Sequence, residues 1–229
     1  MTELSDHELL RRFCTVRDRA ALNELAGRHI GMVYAAARRQ VGDAELAEDV
    51  TQAVFIVLVR QAASIRPGVE LCSWLHTVTR HASANARRMR SRRVHHETHK
   101  ALMSTEQYNP ADSNDQIDPL LDSAITSLGS TERSGVLLHF FQNLTHKEIG
   151  ARLGMTEEAS RKRVARALDK MRAFFQKRGV VTGASAIAAT LSAQGNSVAA
   201  PIGLLESVVN VAVLTNTVGV GSSGALFIA

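Results

Sequence analysis

The chain has 229 residues, 45% of them hydrophobic, which excludes wholesale disorder and leaves room for one large domain or two small ones. Aromatics make up only 4%, and aliphatic residues dominate, which favours helices packed through Ala, Leu and Val. The formal net charge is +5, so nucleic acid is the first partner to consider.

Charge placement says more than the total. Residues 180–229 carry a single charge, Glu206, so the first 179 residues hold +6. Within these, 101–132 has six acids and no Lys or Arg. Two basic blocks therefore flank an acidic bridge. Cys14 and Cys72 lack metal-ligand or CxxC spacing and read as small hydrophobes in a reducing compartment. The charged, amphipathic start "MTELSDHELLRRF" is no signal peptide.

In chain order, Ser5 and Glu8 form a capping-box pattern that opens a short helix to about Phe13. Asp18 starts a longer helix, with Leu22, Leu25, His29, Val33 and Ala36 on one stripe, and Gly42 ends it. Asp43 caps a third helix, with Leu46, Val50, Ala53, Val54, Val57 and Leu58 as its apolar side. Pro67-Gly68 makes a loop. A fourth helix spans about 72–93, apolar in its first half and cationic in its second, "ARRMRSRR". No strand pattern occurs in this half.

Residues 101–127, with Pro110, Pro119 and scattered Asp, read as a solvated acidic linker. Thr131-Glu132 opens a further helix to about Gln142, with Val136, Leu137, Phe140 and Phe141 inward. Thr145 caps the next helix, and Gly154 ends it in a left-handed turn. Thr156 caps the last long helix, where Val164, Leu168, Met171 and Phe175 share a face.

Helix, short glycine-containing turn, helix is the helix-turn-helix plan. Its second helix places Ser160, Arg161, Lys162, Arg163 and Arg166 away from the Val164–Leu168 face. A helix fits the DNA major groove, where Arg donates twice to guanine and Lys or Arg neutralises phosphate. The alternative is a solvated cationic face. The earlier block, "RRMRSRRVHH", could likewise be a solvated helix end. Trp74 and the Pro67-Gly68 loop beside it are also what an unstacked base requires, although Trp74 is equally a core residue. His95 and His99 have helical-face spacing, but the cationic flanks and the lack of further ligands argue against a metal. No P-loop, nucleophile-elbow or HExxH motif occurs, so neither catalytic residues nor a cofactor are expected. Glu45, Glu48 and Asp49, in "ELAEDVTQAVF", give the third helix an acidic face, by default simply solvated and alternatively a docking surface for a basic or mixed-charge partner.

The order "LAEDVTQAVF", then "SWLHTVTRHASANARRMRSRR", then the acidic bridge, then "LTHKEIGARLGMTEEASRKRVARALDKMR" resembles the sigma-70 family of bacterial RNA polymerase sigma factors, in its extracytoplasmic-function branch. The likeness covers roughly 5–178. It implies an all-α fold of two small helical domains: region 2 at 1–100 and a region 4 helix-turn-helix at 128–179, joined by a flexible acidic linker at 101–127 and followed by an apolar extension at 180–229. It implies core-polymerase contacts at Glu48, Asp49, Gln52 and Phe55. Contacts to the −10 element, with duplex melting, fall on Trp74, Arg80, Asn85, Arg87, Arg88 and Arg90, beside a base-capturing loop at 64–73. Contacts to the −35 element fall on Ser160, Arg161, Lys162, Arg163 and Arg166. Ala53 and His81 depart from residues frequent in the family.

The implied partners are core RNA polymerase and promoter DNA in the bacterial cytoplasm. The other readings are a helix-turn-helix regulator that binds operators without polymerase, and a module whose basic faces bind an acidic protein. The uncharged extension reads as a regulatory element or a docking site for a partner such as an anti-sigma factor. Its apolar end, "ALFIA", leaves membrane contact open if the natural chain runs past Ala229.

Overall fold

A computed structural model describes residues 4–66, 68–98, 118–197 and 200–218. Among these it is all helical: α1 (Asp6–Val16), α2 (Arg19–Val41), α3 (Ala44–Gln61), α4 (Leu71–Thr98), α5 (Asp118–Ser127), α6 (Ser130–Phe140), α7 (His146–Leu153), α8 (Glu157–Gln176), α9 (Ala184–Ser197) and α10 (Leu204–Val218).

The helix starts follow from short polar side chains that satisfy otherwise orphaned amides. Ser5 accepts from Glu8 N, Asp18 from Ala20 N and Ala21 N, Asp43 from Leu46 N, and Thr156 from Ala159 N. Thr145 and Glu148 form a reciprocal capping box. At the Ser5 cap the expected return bond is absent, and Glu8 instead meets Arg11 at 3.4 Å.

The alanine-rich α2 is the central post. Its expected stripe of Leu22, Leu25, His29, Val33 and Ala36 is buried throughout. Ala35 and Ala37 are buried too, and small side chains on several sides let α1, α3, α4, α5, α9 and α10 all pack on it. Leu121, Ala124 and Ile125 of α5 are fully buried, so 118–127 is a packed helix rather than the tail of a solvated linker. Asp118 and Pro119 mark its start; sparse Asp residues masked its apolar Leu-x-x-Ala-Ile face. The remainder of that stretch, 99–117, lies outside the described residues.

The helices before and after the acidic stretch close on each other. Leu25, Val33 and Leu75 belong to the same continuous set of buried side chains as Ile125, Leu137 and Phe175. The extension is helical. Ile187 and Leu191 of α9 are buried, as are Leu204, Val208, Val209 and Ala212 of α10. No described helix is long and apolar enough to cross a membrane, and 219–229 lie outside the described residues.

Candidate nucleic-acid and polymerase interfaces

The helix-turn-helix forms as the residue pattern predicts. α7 ends at Gly154, whose φ of 67° is the left-handed conformation that glycine adopts without steric penalty, and Thr156 starts α8 two residues later. Val164, Ala167, Met171 and Phe175 bury the inner face of α8. Arg161, Lys162 and Arg166 are exposed on the other side, and Arg163 is half-buried. Arg161 meets Glu157 at 2.9 Å and Lys162 meets Glu158 at 2.7 Å. These are exposed one-turn pairs worth about 0.3–0.5 kcal/mol each, weak enough to be exchanged for phosphates. Arg163 and Arg166 also line an open pocket with Gly129, Ser130, Thr131 and Glu132 at the amino end of α6.

Ser160 corrects the sequence expectation. It is 1% exposed and faces the core, with its hydroxyl lacking a hydrogen-bond partner, so it is no part of the cationic face. It lies one turn before Val164, on the same inward stripe.

On α4, Arg80, Arg87, Arg88 and Arg90 are exposed and Asn85 is half-buried. Arg90 pairs with Asp43 at 3.2 Å, and Arg88 donates to Asn85 at 3.3 Å. Trp74 is half-buried and packed against the core. The side chains of His95 and His96, and all of His99, lie outside what the structure describes.

On α3, Asp49 is exposed and Glu48 and Gln52 are half-buried, on one side of the helix. Phe55 is a second correction. It is 0% exposed and packs beneath α3, so it supports that face from inside and presents nothing to a partner.

Sequence reading missed the polar locks between the two halves. Arg152 on α7 reaches Asp6 on α1 through a short ion pair and Glu70, before α4, at 2.7 Å. His29 is fully buried; its Nε2 donates to Asp6 at 2.8 Å, and its Nδ1 accepts from Gln142 at 2.8 Å, which fits one tautomer. Burial raises the Asp6 carboxyl, but the His29 hydrogen bond and the charge and hydrogen bond of Arg152 outweigh it and hold the group well below the carboxylate range. On the opposite flank Arg39 and His76 grip Asp122. Arg133 of α6 donates to Thr77 of α4 at 3.1 Å. The only forewarning was His29 sitting on an apolar stripe.

Two family models match this chain: Sigma-70 region 2 over residues 25–93, and Sigma-70 region 4 over residues 124–173. The ECF RNA polymerase sigma factor SigE of Mycolicibacterium smegmatis is 30% identical over 186 residues, which span 76% of this chain and 70% of SigE. The chain belongs to the sigma-70 family, in its extracytoplasmic-function branch. The RNA polymerase sigma factor CarQ of Myxococcus xanthus is also similar, 28% identical over 152 residues that cover 66% of this chain and 87% of CarQ. A solved structure of the sigma factor RpoE with the anti-sigma factor NepR from Bartonella quintana aligns over 64% of this chain and 91% of that one, at 20% identity and a TM-score of 0.30. The protein is thus a sigma factor, an initiation subunit that binds core RNA polymerase and promoter DNA. Region 2 accounts for α2 to α4 and region 4 for α6 to α8. The extension with α9 and α10 falls outside both matches.

Proposed function

We propose that this sigma factor divides its labour among three surfaces. Residues 1–100 dock on core polymerase and handle the −10 element, 128–179 read the −35 element, and 101–127 bridge them. Asp49, with Glu48 and Gln52, supplies the polymerase-facing side of α3. Arg161, Lys162 and Arg166 face the −35 major groove, while Arg163 beside the α6 pocket serves a phosphate. Arg80, Asn85, Arg87, Arg88 and Arg90 line the −10 surface, with Trp74 next to the opened strand. Melting costs roughly a few kcal/mol per unstacked step, which capture of an extruded base in the 64–73 loop partly offsets.

The observation that carries this reading is the two-sidedness of α8. Its inner face is sealed by Val164, Met171 and Phe175, and its outer face holds exposed cations, two of which, Arg161 and Lys162, are engaged in weak one-turn pairs. The protein supplies binding energy and no bond chemistry, and it works where the polymerase is, in the cytoplasm.

Run-off transcription with core polymerase on the DNA upstream of the protein's own gene tests the proposal. A defined start that depends on this chain and weakens with Asp49→Ala supports it. Tight, sequence-specific DNA binding that is indifferent to core enzyme, with no dependent transcript, overturns it in favour of an operator-binding regulator.

A further inference from the structure

The extension contains two helices, and each packs on a different half of the molecule. α9 lies against α6 and α8 of the second half, as well as α2. Its Ile187 and Leu191 are buried there. At Gly195 the two backbones nearly touch: a Cβ on that residue would stand 1.9 Å from the Phe140 carbonyl oxygen, so only glycine fits. Gln194 beside it accepts from Arg39 of α2 at 3.4 Å.

α10 lies in the groove between α2 and α3, with its most extensive contact on α3. Leu204, Val208, Val209 and Ala212 point inward. Leu205 rests over Gly27, and Asn210, further along α10, accepts from Arg19 at the start of α2, so α10 runs antiparallel to α2. Gln52 of α3 donates to Ser207 at 3.1 Å. Glu48 and Asp49 lie one helical turn before Gln52 and straddle it at 3.6 residues per turn. α10 therefore runs along the side of α3 that carries the acidic docking residues.

We infer that α9 and α10 form a built-in strap: α10 is the resident occupant of the α2–α3 groove and competes with core RNA polymerase for it, while α9 holds the second half down on the first. The inference rests on the reading that the Asp49–Gln52 side of α3 is the polymerase-docking face. The rest of the closed form agrees with it. Arg152 ties the helix-turn-helix to Glu70, in the loop read as the base-capturing element. Arg133 sits on Thr77 of α4, one turn before Arg80. Polymerase docking, the −10 loop and the reach between the two DNA-binding surfaces are all restrained in this closed arrangement, and release of the strap uncovers the docking groove and removes one of the ties between the halves. Apparent affinity scales with the fraction of open molecules. A strap docked about nine-tenths of the time weakens polymerase binding about tenfold.

The test uses the full chain and purified core polymerase. Val208→Asp places a charge in the α10 interface, and Gly195→Ala forces α9 off Phe140. Each folded variant, checked by circular dichroism, is expected to bind core enzyme at least about tenfold more tightly than the unaltered chain and to give more run-off transcript. A second arm introduces Gln52→Cys with Ser207→Cys. Its oxidised form is expected to bind at least about tenfold more weakly than its own reduced form, which needs no comparison with the natural docking residue. Equal binding by the oxidised and reduced forms, or by Val208→Asp and the unaltered chain, overturns the strap and leaves the docking reading standing. Asp49→Ala placed in the Val208→Asp chain separates the two ideas: undiminished polymerase binding there overturns the docking reading itself.

Discussion

Arg39 and Asp122, 83 residues apart, form a bidentate pair. Nη2 donates to Oδ1 at 2.8 Å and Nε donates to Oδ2 at 3.1 Å, and both side chains are 4% exposed. The pair pins α5 to the central helix α2, and His76 adds a third bond to the same carboxylate. A buried charge pair is costly to break from one side, because the surviving charge is left in a poorly solvated place. Asp122→Ala is therefore expected to cost about 3–5 kcal/mol, read as a lower urea midpoint. Asp122→Asn, which keeps some hydrogen bonding, should cost less.

The same carboxylate sets an acid limb. Burial raises its pKa, but the Arg39 charge and the His76 hydrogen bond outweigh this, so the folded value lies well below the ordinary one. A depressed carboxylate stabilises the fold above its unfolded pKa of about 3.9, and that stability is lost as pH falls towards the folded value. Asp6 follows the same rule through His29 and Arg152. Thermal midpoints should thus fall steeply below about pH 4, with no contribution to the slope from these two carboxylates between pH 5 and 8. Asp122→Asn should flatten the acid limb; an unchanged limb would remove this carboxylate from the explanation.

Arg152→Ala tests the other flank. It removes the bonds to Asp6 and Glu70, but Asp6 keeps His29 and Arg28. The expected cost is therefore smaller, about 1.5–3 kcal/mol. Because Arg152 lies on the helix-turn-helix, the variant should also sample more extended shapes. A larger radius of gyration in solution scattering is the expected readout, and an unchanged radius with a lowered midpoint would make Arg152 a purely local stabiliser.

The helices were legible because their signals are local. Asp18, Asp43, Thr145 and Thr156 are caps, Gly154 is a stop, and the α8 stripe has the helical period. The cationic outer faces of α4 and α8 followed from the same periodicity. Ser160 and Phe55 were misplaced for a related reason: a small polar residue at a cationic helix start, or an aromatic in a motif, does not declare which side it faces until neighbouring helices are packed. Asp6, Arg39, Asp122 and Arg152 were out of reach, since each meets partners tens of residues away and no spacing rule links them. The extension showed a single charge, Glu206, and an apolar end, neither of which names a docking site. That α10 seeks the α2–α3 groove depends on a register between Leu205 and Gly27 that composition does not carry.

On the side of α8 proposed to face DNA, Arg161→Ala and Arg166→Ala should each weaken −35 recognition. Where the lost contact is to a phosphate, the salt slope should fall by about one. Where it is a base-edge contact, discrimination at one position should fall by roughly 1–3 kcal/mol. Glu157→Gln removes the partner that Arg161 must leave before meeting DNA. That pair is exposed and weak, so the gain in affinity should be slight, about twofold, and greatest at low salt. Promoter competition assays across a salt series separate these outcomes.

Ser160 gives the sharpest contrast with its cationic neighbours. Its hydroxyl is buried without a partner, and alanine has the higher helix propensity. Removing an unpaired buried hydroxyl recovers part of its desolvation cost, so Ser160→Ala should stabilise the fold by about 1 kcal/mol. Because the side chain faces the core, the −35 preference should stay the same while the melting midpoint rises. Arg161→Ala, one residue on, should do the reverse: little change in midpoint and a clear loss of −35 binding. Loss of −35 recognition by a stable Ser160→Ala protein would mean that α8 turns its other side to DNA, and the assignment of Arg161 and Arg166 would fall with it.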